Sequence, residues 1–150
     1  MTLMYHNILV AVDGSKSAEC AFKKAVQIAK RNNAKLTLIH VIDTRSFATI
    51  DAYNGTMSER AKTYAKELLE QYTQEAEAQQ FTNFEGLVEY GSPKTVIPKQ
   101  IAKKIKADLI ICGATGLNAV ERLLIGSVSE HIMRSAECDV LIVRTEEEKL

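Results

Sequence analysis

The 150-residue chain has no excess charge of either sign, since 19 Lys and Arg face 19 Asp and Glu. A protein that coats nucleic acid or an anionic membrane normally holds a basic surplus, so neither partner is expected. The same neutrality gives little colloidal repulsion and favours self-association. Cysteine is scarce and scattered: Cys20, Cys112 and Cys138 contain no Cys-x-x-Cys pair. That excludes a readable disulfide framework or zinc ribbon, and free thiols fit a reducing compartment. No apolar run approaches the ~20 residues a membrane helix needs. Residues 1–7 lack the basic-then-apolar order of a secretory signal. The expectation is a soluble, cytoplasmic protein.

What is present is an ordinary globular balance, 46% hydrophobic and 25% charged. The length suits one domain spanning 1–150, able to bury about 68–70% of its unfolded surface. Apolar periodicity alternates along it. Ile8–Val12, Leu36–Ile42, Leu87–Tyr90, Asp108–Cys112 and Val140–Val143 read as strands. The first, fourth and fifth are apolar on both sides, as buried parallel strands are.

Between them run amphipathic helices. The first starts at an N-cap Ser15 and carries Ala18, Ala21, Phe22, Ala25, Val26 and Ala29. The second carries Met57, Ala61, Tyr64, Ala65, Leu68, Leu69, Tyr72 and Ala76. The third opens on Ser92-Pro93, and its interior Pro98 predicts a distortion. The last occupies 126–136, with Val128, Ile132 and Met133 inward. Thr44–Thr56 reads as a long mobile connection and Thr145–Leu150 as a frayed tail. Alternating strands and helices make this α/β, with a mainly parallel sheet and helices on both faces.

In such sheets ligands bind beyond the carboxyl ends of the strands, where strand order reverses. Here those ends are Asp13-Gly14, Val41-Ile42 and Cys112-Gly113. After the fourth strand comes Gly113-Ala114-Thr115-Gly116, nine residues, then Gly126-Ser127-Val128-Ser129. Glycine lets backbone approach a phosphate closely, and a helix start offers unpaired N–H groups. Ser127 with Glu130 spells a capping box at that helix start. Glycines also end strands and cap helices without binding anything. Neither a Walker loop nor a Gly-x-Gly-x-x-Gly fingerprint is present.

These residues carry a family resemblance. Gly-x-x-Gly, nine residues, Gly-Ser resembles the nucleotide-binding signature of the universal stress proteins. Asn7–Ser15 is similar to that family's first strand and turn, and Cys138–Arg144 to its last strand. The resemblance implies a doubly wound five-stranded sheet in the order 3-2-1-4-5, a homodimer formed through the last strand, and ATP bound with Mg or Mn. It implies that Asp13 contacts the ribose, while Ala11, Val12 and Val41 line the adenine. Gly113 and Gly116 would face ribose and phosphates, with Cys112 beside them. Gly126, Ser127, Val128 and Ser129 would hold the phosphates. Many members have a basic or histidine residue where this chain has Thr115, a departure that bears on affinity.

Other constellations point elsewhere. An Asx turn around Gly14 is the alternative role for Asp13, and a core strand position the alternative for Val41. Cys112 reads as a small buried core residue. His6, His40 and His131 lack metal-ligand spacing. Ser15 with His40 would make a small hydrolase, but no Gly-x-Ser-x-Gly elbow is present. Lys94, Lys99, Lys103, Lys104 and Lys106 read as a solvated helix face. The expected role is an ATP-binding, non-enzymatic sensor or interaction module; the alternative is a family member working without nucleotide, through homodimer or partner contacts.

Overall fold

The structure, a computed structural model, describes residues 4–44, 56–115 and 125–145. The strands are β1 (Asn7–Ala11), β2 (Lys35–Ile42), β3 (Phe84–Tyr90), β4 (Leu109–Gly113) and β5 (Asp139–Val143). They form one sheet in the order β3-β2-β1-β4-β5, with every neighbouring pair parallel. The helices are α1 (Lys16–Asn32), α2 (Thr56–Ala78), α3 (residues 93–104) and α4 (Ser127–Ser135). The expected 3-2-1-4-5 architecture is the one observed.

Period-two alternation sends successive strand residues to opposite faces. Ile8 and Val10 face α1 and α2 in one core, together with Phe22, Leu38 and Tyr72. Leu9 and Ile110 face α3 and α4 in the other, together with Ile39, Ile101 and Ile132. Ile8, Leu9 and Val10 are all fully buried, which is why β1 reads as a continuous apolar run. The expected cap is present: Ser15 Oγ accepts from the Ala18 N–H at 3.1 Å. At the other end of α1, Asn33 adopts a left-handed conformation (φ 54°).

Several expectations change. β3 begins at Phe84 rather than Leu87, because an edge strand needs only one apolar face and tolerates Glu85 and Gly86 in its run. Met133 is 50% exposed rather than inward, and Tyr64 is 45% exposed. Thr145, read as part of a frayed tail, is buried. The last helix, expected over 126–136 with a Ser127–Glu130 capping box, runs Ser127–Ser135 with Gly126 as its N-cap and no side-chain capping bond. Pro98 does distort its helix: α3 comprises an α-turn (Pro93–Thr95), a π-helical stretch (Val96–Ile101) and another α-turn (Ala102–Lys104). A proline ring clashes with the carbonyl four residues back, and widening the turn relieves it. The Ala102 N–H accordingly reaches back five residues to the Ile97 carbonyl. The connection read as mobile falls on residues 45–55, outside the described residues.

Candidate functional site at the sheet crest

α1 leads from β1 to β2 on one side, while β4 pairs with β1 on the other, so the strand order reverses between Ala11 and Gly113. Asp13 follows β1, and its Oδ1 accepts from the Ser15 N–H at 3.0 Å. This is the Asx turn weighed above, and it spans Gly14 at φ +88°, where an L side chain is strained. The turn leaves the second carboxylate oxygen of Asp13 unused by it.

Opposite Asp13, the end of β4 is tied down from three sides. Ala114 N–H donates to the Val143 carbonyl (2.8 Å), and Thr115 N–H donates to Ser17 Oγ (3.3 Å). Gly126 N–H donates to the Ala114 carbonyl (2.7 Å), and Ser129 Oγ donates to the Gly113 carbonyl (2.5 Å). The last two bonds seat the first turn of α4 directly on the crest. Glu130 N–H is the first to bond back inside the helix, to the Gly126 carbonyl at 2.9 Å. The amides of Ser127, Val128 and Ser129 precede it and belong to the orphan donors of a helix start. The capping box is not formed, because Glu130 turns instead to Arg134 (2.7 Å). An uncapped first turn concentrates N–H dipoles, the arrangement that holds anions.

The remaining expected residues divide by face. Ala11, Val41, Cys112 and Val128 share the core under α3 and α4. Val12 instead joins the core under α1 and α2. Both its polar backbone atoms are engaged: its N–H donates to the Ile39 carbonyl (3.0 Å), and its carbonyl accepts from His40 Nδ1 (2.9 Å). Because a carbonyl only accepts, His40 carries its proton on Nδ1. Burial pushes the Cys112 thiol up to about 11, partly offset by its side-chain hydrogen bonding with Ser129. Gly116 lies outside the described residues.

Two crest residues carry no signal in the sequence beyond their helical spacing. Ser17, almost fully buried, presses on Gly113 and accepts from Thr115. Tyr64 of α2 lies over Gly14 and meets the His40 ring edge-on, with centroids 5.9 Å apart. Ser15 caps α1 and His40 is turned to Val12, so the two form no Ser–His pair.

The family model described as the universal stress protein family matches residues 4–144. The chain belongs to that family. A universal stress protein homologue of Staphylococcus haemolyticus is 52% identical over 145 residues, covering 97% of this chain and 88% of its own. Among solved structures, the universal stress protein UspA from Lactobacillus plantarum superposes with a TM-score of 0.85 at 34% identity, covering 95% of this chain and all of the other. A universal stress protein crystallised in complex with cAMP has a TM-score of 0.72 at 28% identity, covering 96% of this chain and all of its own. The observed 3-2-1-4-5 sheet of this universal stress protein brings the strand ends and the last helix's first turn to one crest. No described helix is long and apolar enough to cross a membrane.

Proposed function

We propose that this universal stress protein binds ATP at the crest and works in the cytoplasm as a nucleotide-dependent sensor or interaction module. The observation that carries the reading is the first turn of α4. It is seated on β4 through the Gly126–Ala114 and Ser129–Gly113 bonds, yet has no side chain capping it. The amides of Ser127, Val128 and Ser129 would take the phosphates. Ser129 acts through its amide alone, since its hydroxyl is given to Gly113. Asp13, already shaped by the Asx turn, would accept from ribose hydroxyls with its second oxygen. Ala11, Val41 and Cys112 supply an apolar wall for the base. The cAMP-bound relative supports an adenine nucleotide on this fold.

Among the described residues no group of three His, Cys, Asp or Glu side chains converges into a metal cage. The described residues supply no resident metal site, and Mg or Mn would arrive on the phosphates, as Mg commonly does. The reading assigns no reaction to the site. It includes a homodimer through β5, whose Val140, Leu141 and Ile142 are only half-buried and which pairs with β4 on one side.

Calorimetric titration of Mg-ATP into the purified chain tests it, with saturable one-to-one binding expected. Gly126 has ordinary N-cap angles (φ −62°, ψ 153°), so Gly126→Asp is compatible with the backbone. Its carboxylate would cap the turn and occupy the anion position. Affinity should fall at least tenfold while the melting temperature holds or rises. A flat trace for the unaltered chain overturns the reading and favours the nucleotide-free alternative, with which the missing positive charge at Thr115 is consistent.

A further inference from the structure

On the α1–α2 side of the sheet, opposite α4, lies a cleft of about 170 Å³ that meets the crest at Gly14 and Tyr64 and runs away from it along α2. Its lining includes Glu19 of α1 and Tyr64, Glu67, Gln71, Tyr72 and Glu75 of α2. Among the described residues none of the three glutamates is in an ion pair. On a chain with no net charge this is a local excess of negative charge.

A second observation is independent of that charge. Tyr72 is 3% exposed, and its ring is held against Phe22 with centroids 4.6 Å apart. Tyr72 lines the cleft, and among the described residues its buried hydroxyl has no hydrogen-bond partner. Burial, then the fields of Glu19, Glu75 and Asp13, keep this phenol protonated well above its ordinary range. A buried hydroxyl is almost always paired, so this one marks a place where a polar group belongs.

The carboxylates do not converge as metal ligands would. Glu67, Gln71 and Glu75 are instead set one helical turn apart, so the row extends about 12 Å along the helix. Leu68 and the Tyr64 ring supply apolar surface along it. Acceptors spaced along an apolar floor match ammonium groups spaced by methylenes. An aromatic ring at one end favours a cation further.

We propose that the α1–α2 cleft binds a linear aliphatic polyamine, its ammonium groups on Glu19, Glu67 and Glu75 and one N–H donated to the Tyr72 hydroxyl. Spermidine titrated calorimetrically into the full nucleotide-free chain, at fixed ionic strength, is the test. Saturable binding is expected, weakened at least tenfold in Glu67→Gln/Glu75→Gln and severalfold in the near-isosteric Tyr72→Phe. The control pair Glu70→Gln/Glu77→Gln, on the same helix but outside the cleft, should bind as the unaltered chain does. Absence of saturable binding overturns the proposal. So does equal loss in the control pair, or the same response to Mg²⁺ alone, because either would mark a diffuse surface charge.

Discussion

Gly113 ends β4 with the first turn of α1 laid across it. A Cβ there would stand 2.4 Å from Ser17 Oγ and 2.7 Å from the Ser17 carbonyl carbon. A glycine that sequence pattern assigns to a phosphate is thus also required by helix–strand contact. Gly113→Ala should destabilise the fold by about 1–3 kcal/mol, the usual cost of overpacking, as a lower urea midpoint. Tyr72 predicts the opposite sign: Tyr72→Phe removes a buried unpaired hydroxyl and should stabilise the ligand-free chain by ~1 kcal/mol, seen as a higher midpoint. Cys112 gives a pH dependence. Burial raises its folded value from 9.0 to about 11, so the folded state resists ionising it. The associated stability is fully present below pH 9 and lost as pH rises through 11. Unfolding free energy should fall less between pH 8 and 10.5 for Cys112→Ala than for the unaltered chain; parallel curves would show that the thiol is not the source.

Among the elements, α1 was legible from end to end because its cap and apolar stripe are local signals. Ser15→Ala should cost about 1 kcal/mol in chemical denaturation. The start of α4 was legible in position but not in chemistry. Ser127-x-x-Glu130 fits a capping box in sequence, whereas the bonds of Gly126 to Ala114 and of Ser129 to Gly113 fix where the first turn sits. Glu130 then lies one turn from Arg134, and both side chains are substantially exposed. Glu130→Ala should therefore cost no more than about 0.5 kcal/mol, the worth of an exposed i,i+4 pair. A loss near that of a cap would restore the capping box. Pro98 announced its distortion, since a missing N–H acts through its own helix; the π form it took depends on how the turn closes.

At the scale of the whole molecule, β5 reads in sequence like a centrally covered strand but lies at the sheet edge, its middle residues half-buried. An apolar strand with one unpaired edge is a pairing surface. Sedimentation at micromolar concentration should give a dimer that Leu141→Lys weakens; a monomer for the unaltered chain would remove β5 from that role. By itself the sequence determined the order and type of elements, the parallel sheet and the family, because apolar period, caps and glycine spacing are written in neighbouring residues. Only the tertiary structure decided that Ser17 and Tyr64 reach the crest, and that Tyr72 meets a row of glutamates. Those facts join residues distant along the chain, and packing rather than local pattern sets which side chains meet.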